Sequence, residues 1–514
     1  MKRLSLILAL LLCFTLCPAA RAEGETPAPS PTPTTHFRDQ YQYILLEDGT
    51  VKITRYFGKE KNLSIPDRIN GILVTSIGDS AFFNCPNLSH VTIPDGVTSI
   101  GSYAFGACPK LIDITIPDSI TAIGDIAFGG CSLLTTMTIP DSVISIGTNP
   151  FMSCKSLESI TVSPNHPTLA VIDDVLFEKA TRRLICYPMG KAAASYAIPQ
   201  GIQVIGDEAF SECVSLYSIV IPDSVMSIGK FAFSSCSGLK SISIPDSVTH
   251  IGLGAFCACS SLTAVSIPDS ITTISDKMFE SCYCLTKITI PGSVTVIGDS
   301  AFSGCNCLTG VTIPDGVTYI GHYAFFGCFD LTAIAIPNSV TSIGSNSFGN
   351  CKKLTSFNIS PNHSCFAVID DVLFEKSMEK LICYPVGKAG SSYVVPEGIQ
   401  VIDEGAFSSC ESLTDVTIPD SVTTIGAYSF DGCINLTSIN IPNSVTAIGN
   451  SAFSWCESLT SITVPDSVIY IGQYAFSLCP NLTVTVNHGS FAAQYCQDND
   501  VPYTYPDSLD WLNH

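Results

Sequence analysis

The residue types able to do chemistry in this chain recur in columns and do not gather in clusters. Cysteine is the first. Cys85, Cys108, Cys131 and Cys154 stand 23 residues apart; the step resumes from Cys213 to Cys351 and again from Cys410 to Cys479, fifteen positions in all. Thiols stacked one strand spacing apart have parallel Cβ directions, which is poor disulfide geometry. The column therefore reads as buried, inert thiols acting as small hydrophobes. Cys257, Cys284 and Cys307 each lie two residues from a column cysteine, and Cys284 and Cys307 share a register. Free thiols, one disulfide or a metal are the open readings there, although zinc would need four converging ligands and none converge in the sequence.

Aspartate forms the second column: Asp95, Asp118, Asp141, Asp223, Asp246, Asp269, Asp315, Asp420 and Asp466. Carboxylates roughly 5 Å apart repel by about 0.8 kcal/mol per pair in water. Calcium would relieve that; alternatively each carboxylate accepts N–H groups of its own turn. Gly292, Asn338 and Asn443 interrupt the column and favour the turn. The eight histidines are scattered, His166 and His363 being equivalent positions of a duplicated block. No H-E-x-x-H, G-x-S-x-G or phosphate-cradling glycine loop is present. The pairs Asp173-Asp174 and Asp370-Asp371 read as hairpin turns. The expectation is a protein with no catalytic residues, no metal site and no cofactor, and not an enzyme.

Composition narrows the class further. Hydrophobic residues make up 46% and charged residues 13%, which excludes a disordered chain. Lys plus Arg number 24 against 45 Asp plus Glu, a formal charge of −21 that would repel nucleic acid.

A 23-residue period supplies the elements that must carry these columns. Prolines in an I-P-D-like context fall at Pro94, Pro117 and Pro140, then from Pro199 to Pro337, then from Pro396 to Pro465. The unit is close to L-x-x-I-T-I-P-D-S-V-T-x-I-G-x-x-A-F-x-x-C. In Leu111 to Ile116, alternation points Ile114 and Ile116 inward and Thr115 outward, as in a strand with one buried face. Pro117 ends it. Ile123, Ala127, Phe128 and Cys131 follow at the spacing of one face of a short helical turn. A single unit cannot bury its apolar face, so units must stack as a solenoid. The fold class is an α/β-type repeat solenoid, with a parallel sheet on one side and short helical turns on the other. About seventeen coils spaced ~4.8 Å apart would make one elongated domain of roughly 80 Å with a single ribbon core.

The period is broken twice by 36-residue insertions that are copies of each other, offset by 197. Both contain AVIDDVLFEK (Ala170 to Lys179, Ala367 to Lys376) and LICYP. Val171 to Glu178 and Arg183 to Tyr187 read as a β-hairpin that continues or decorates the stack. Residues 1–22 read as an export signal: Lys2 and Arg3, an apolar run from Leu4 to Leu16, and Ala20-Arg21-Ala22. That run is too short to span a bilayer comfortably. Residues 23–36 form a Pro/Thr-rich linker, residues 37–90 an N-terminal cap and first coil, and residues 91–486 the solenoid, with insertions near 163–198 and 360–395. Residues 487–514 form a C-terminal cap, with a short helix expected at Ser490 to Cys496 and a strand at Val501 to Tyr505.

L-x-x-I-x-I-P with I-G-x-x-A-F-x-x-C resembles the BspA-type leucine-rich repeat of surface and secreted proteins, over residues from about 41 to 505. The resemblance implies an adhesin that binds host matrix proteins or other cells, secreted or held at the cell surface.

The binding surface expected from the residues is the strand face. Its outward hydroxyls include Thr92, Thr115, Thr138 and Thr312, and its interruptions are Tyr217, Lys240, Lys287, Asn358, Asp415 and Asn440. Aromatic and charged groups on a bland face are candidate hot spots. The expected partner is an extracellular protein, with a glycan second and a passive surface coat third; nucleic acid and a membrane span are not expected.

Overall fold

The computed structural model describes residues 34–377 and 379–506. The export-signal reading of residues 1–22, most of the linker and residues 507–514 lie outside these.

Each coil carries two short parallel strands where the sequence suggested one. The first is a triplet such as Asp113–Thr115, with its middle residue buried and its outer two exposed. The second is a doublet, such as Ala122–Ile123, that ends on a buried isoleucine. Neighbouring coils pair in a register shifted by one repeat: Ile242 lies opposite Val265, and Ile100 and Ile123 lie opposite Ile123 and Ile146. A one-residue slip would turn every inward isoleucine to solvent, so burial locks the register.

The third side is not helical, which corrects the expectation drawn from the Ile123, Ala127, Phe128 and Cys131 spacing. All four side chains are buried as expected. The backbone that places them is a chain of turns, with two left-handed residues per coil, such as Tyr103 (φ 55) and Ala107 (φ 54). An α-helix would direct N–H groups to carbonyls four residues back. Here alternate N–H groups donate to the next coil instead: Tyr103, Phe105 and Ala107 to the carbonyls of Asp125, Ala127 and Gly129, at 2.9, 2.7 and 2.7 Å. The phenylalanines of this side stack, Phe105 on Phe128 at 5.7 Å and Phe233 on Phe256 at 5.4 Å, nearly parallel in both cases.

The insertions do not decorate the stack, and the core is not one ribbon. Each insertion is a three-stranded meander: Leu169–Ile172 and Val175–Glu178 turn about Asp173-Asp174, and Arg183–Cys186 then pairs parallel with the doublet Val204–Ile205. The turn expected at Asp173-Asp174 thus divides Val171 to Glu178 between two strands. The meander is buried on both faces. Leu176, Ile185 and Cys186 pack into the block before it, while Val175, Phe177, Leu184 and Tyr187 pack into the block after it. The copy repeats this: Leu373, Ile382 and Cys383 face backward, and Val372, Phe374, Leu381 and Tyr384 face forward. Burial on both faces explains the near-continuous apolar runs VLFE and LICY. The core is three blocks separated by two β-walls.

Both ends are covered. Thr35–Arg38, Tyr41–Leu45 and Val51–Tyr56 form an antiparallel sheet, and the Tyr56 ring lies 5.1 Å from Phe82. Asn70 and Gly71, both left-handed, turn a small hairpin in the first coil. At the other end the helix Phe491–Asp498 is N-capped by Ser490, whose hydroxyl accepts from the Ala493 N–H, and Tyr495 sets its ring edge against Phe476. Tyr503–Thr504 adds a last parallel strand on Val484-Thr485.

Phe256 is wholly buried, with stacked rings above and below. Phe256→Ala is expected to cost about 3–5 kcal/mol in urea unfolding. Exposed Thr312→Ala should stay within about 0.5 kcal/mol of the parent.

Candidate functional site

All ten residues expected on the binding face are exposed. They occupy three registers. Thr92, Thr115, Thr138, Thr312, Asn358 and Asn440 hold the third position of their strands, and Lys287 and Asp415 hold the first. Tyr217 and Lys240 stand one residue before the strands Ser218–Val220 and Ser241–Ser243, so Tyr217 projects from the approach to a strand and not from the strand itself. Thr92 lies opposite Thr115, and Asp415 and Asn440 sit in adjacent coils. Lys287 begins the strand next to that of Thr312, and Asn358 lies opposite Ala335. The one direct side-chain contact among the ten is a cation–π pair, with Lys240 Nζ 5.9 Å from the Tyr217 ring centroid.

The hydroxyl ladder divides into free and engaged groups. Column mates of Lys240 bind backbone: Thr263 Oγ1 donates to the Lys240 carbonyl at 3.0 Å and Thr437 Oγ1 to the Thr414 carbonyl at 3.0 Å. A second threonine column on the doublet side does the same, Thr121 Oγ1 reaching the Thr98 carbonyl at 3.2 Å. Tyr217 and Lys240 break this pattern. In the duplicated block the same two backbone positions carry Thr414 and Thr437.

The cysteine column has a structural task. Most of these thiols donate to the phenylalanine carbonyl 26 residues earlier, as Cys131 to Phe105 at 3.3 Å, Cys259 to Phe233 at 3.1 Å and Cys433 to Phe407 at 3.1 Å, and after each insertion Cys213 and Cys410 face the carbonyls of Tyr187 and Tyr384 instead. Burial pushes the Cys259 and Cys305 thiols up, and Cys236 to about 12, far from the thiolate state a nucleophile needs. Cys284 is exposed and Cys307 partly so, and every cysteine of the described residues is a free thiol. Maleimide treatment of the native protein is expected to label Cys284 first, with the fully buried column thiols from Cys236 to Cys351 reacting only in denaturant. Mass spectrometry showing column thiols modified at native rates comparable to Cys284 would contradict this assignment.

The aspartates after proline do not hydrogen-bond their own turns, contrary to that expectation. The neighbouring serine acts instead, and toward the previous coil: Ser119 Oγ donates to the Val97 carbonyl at 2.6 Å and Ser247 Oγ to the Val225 carbonyl at 2.7 Å. The stapling aspartates form a different column, which follows the I-G or I-S step: Asp125 Oδ1 accepts from the Thr148 N–H at 2.6 Å and Asp299 Oδ1 from the His322 N–H at 2.8 Å. A 23-residue search on that step finds Asp79, Asp125, Asp207, Asp276 and Asp299.

His166 and His363 are buried turn staples. His166 Nδ1 accepts from the Leu169 and Thr168 N–H groups at 3.1 and 3.3 Å, leaving Nε2 to donate to the Pro140 carbonyl at 3.1 Å; His363 repeats this with Phe366, Cys365 and Pro337. Among the described residues, no three His, Cys, Asp or Glu side chains are grouped to hold a metal ion, and no helix is long and apolar enough to cross a membrane.

One perturbed carboxyl escaped sequence reasoning. The first insertion brings coils 59 residues apart into contact, with Asn149 donating to the Glu208 carbonyl and Ser153 to Glu212. Burial, then the charges of Asp207, Asp125 and Glu212, raise Glu208 from 4.5 to about 7. The folded state holds this proton more tightly than the unfolded chain does. The resulting stabilisation is complete below about 4.5 and is lost as pH rises through about 7. Thermal melts between pH 5 and 8 should therefore show the parent falling relative to Glu208→Gln.

The described surface is shallow. One depression, about 480 Å³, lies at the C-terminal end of the strand face and is lined by Asp420, Asn440, Asn443, Thr463, Asp466 and Asn487, among others. A second, about 230 Å³, adjoins it through Asn440 and Thr463. Of the ten expected residues, Asp415 and Asn440 reach these depressions.

Among solved structures, a leucine-rich repeat protein from Eubacterium ventriosum is 25% identical, with a TM-score of 0.52 over 66% of this chain and 98% of that one. A leucine-rich cell surface protein from Faecalibacterium prausnitzii is 27% identical over 94% of this chain and 98% of that one, with a TM-score of 0.40. The pneumococcal vaccine antigen PcpA is 24% identical over 63% of this chain and 82% of that one, with a TM-score of 0.47. No curated protein matches the chain. The family described as BspA type leucine-rich repeat region matches residues 60–184, 186–309, 272–384 and 387–494. With the 23-residue coils, the parallel ladders and this match in agreement, the chain belongs to the BspA-type leucine-rich repeat family.

Proposed function

We propose that this chain is an extracellular or cell-surface binding protein that adheres to matrix or cell-surface proteins through its strand face. The observation that carries the reading is the Tyr217–Lys240 pair, an aromatic ring 5.9 Å from a cation on a face rich in small hydroxyl residues. Tyrosine offers a large, rigid contact area, and aromatic anchors dominate protein interfaces. Along the same face from Ser195 to Asn358, Lys240 and Lys287 are the charged residues of the strand and pre-strand positions, in a chain whose formal charge is −21. That local reversal suits an acidic extracellular partner, and repeated weak contacts along the coils add by multivalency. Family membership and the export-type sequence at residues 1–22 support the extracellular setting.

The duplication supplies the control. Tyr217→Thr with Lys240→Thr installs the residues that the second block carries at the same positions, Thr414 and Thr437, so the backbone already accommodates them. On arrays of matrix proteins and mucins the parent is expected to bind saturably and the double variant at least tenfold more weakly. Equal binding by both would remove the strand-face reading, and binding to nothing would favour a passive coat.

A further inference from the structure

We propose that the polar trough at the C-terminal end of the strand face binds a neutral pyranose sugar. It uses neither Tyr217 nor Lys240, so it stands independently of the protein-binding reading.

The trough forms where three successive coils turn the corner after their strands, at Asn440 to Asn443, Thr463 to Ser467 and Thr485 to Asn487, and Pro506 closes its end. With the adjoining hollow that shares Asn440 and Thr463, it makes a continuous polar surface. Its volume of about 480 Å³ is in the range of small-ligand sites.

The lining mixes carboxylates with amides. In the middle block that column reads Asp223, Asp246 and Asp269, then Gly292, Asp315 and Asn338; here it reads Asp420, Asn443 and Asp466, and Asn487 stands in the next coil at the register of Pro465. Asn487 Nδ2 donates to Asp466 Oδ2 at 3.0 Å, which fixes one carboxylate beside one amide. Carboxylates accept, while amides both donate and accept. That is the complement of vicinal hydroxyls, each of which donates and accepts. Asn440 adds a further amide where the middle block has Ser243. Ser467, also in the lining, has a buried hydroxyl with no partner among the described residues, whereas Ser444 one coil earlier donates to the Val422 carbonyl at 2.6 Å.

Other ligand classes fit less well. No Lys, Arg or His lines the trough, so an anion meets only repulsion from Asp420 and Asp466. The apolar lining residues Ile441, Val464 and Val486 are buried, which leaves little for a hydrophobic group. Asp420 and Asp466 are two coils apart, roughly 10 Å, too far to share one cation whose ligands lie within about 2.6 Å.

The test presents the full chain to an array of neutral, sialylated and sulfated glycans, then titrates the best neutral oligosaccharide by saturation-transfer NMR. Two variants use residues already found at equivalent positions: Asp420→Asn, as at Asn443, and Asn440→Ser, as at Ser243. The expected result is binding confined to neutral glycans and about tenfold weaker in Asp420→Asn, where a charge-assisted hydrogen bond is lost. Asn440→Ser should also weaken it, and Tyr217→Thr/Lys240→Thr should leave it unchanged. Four results would overturn the proposal: no neutral glycan bound, only acidic glycans bound, affinity indifferent to both trough variants, or a shift of the melting temperature by calcium alone without glycan binding.

Discussion

Every coil leaves backbone groups on three sides that only an adjacent coil can satisfy, and the whole molecule follows from meeting that demand in register. Triplet strands, doublet strands and the turn side each hydrogen-bond to the neighbour one repeat away. Burying those groups unpaired would cost far more than the left-handed residues that pairing requires. The turn side shows the balance directly. A helix would satisfy itself and leave the neighbouring coil's carbonyls without donors, so the chain accepts two left-handed residues per coil and links the coils instead.

The same demand explains the columns that look like chemistry. Cysteine, with its weak S–H donor and small apolar body, satisfies a phenylalanine carbonyl inside the core. At the surface corners serine satisfies a carbonyl and aspartate an N–H of the adjacent coil. A residue repeated every 23 positions is therefore bound to the scaffold first. The residues proposed for recognition, Tyr217, Lys240, Asn440 and Asn443, stand where a column is broken.

The two insertions extend the logic to the core. A long solenoid of identical coils would carry one uninterrupted ribbon, but each meander places a strand layer across it with apolar side chains on both faces. Coils on either side keep their contacts on the turn side, where residues 59 apart meet and bury Glu208 among other carboxylates. Each boundary between blocks is thus a packed wall on one side and a polar junction on the other.

Periodicity alone determined the repeat length, the inward isoleucines, the buried Phe and Cys columns, the duplicated insertions and both caps, because a residue recurring every 23 positions occupies the same place in every coil. It also placed all ten candidate residues on the exposed strand face. Tertiary structure decided what spacing along one coil does not encode. Ile123, Ala127, Phe128 and Cys131 have a spacing shared by a helix and a folded turn, and only the neighbouring coil's carbonyls choose between them. Asp118 and Asp125 look alike in sequence, yet Asp125 alone faces an N–H of the next coil. The contact of Lys240 with Tyr217, and the trough that gathers Asp420, Asn443, Asp466 and Asn487, likewise exist only once coils are stacked. Their members are about 23 residues apart in the chain and one strand spacing apart in space.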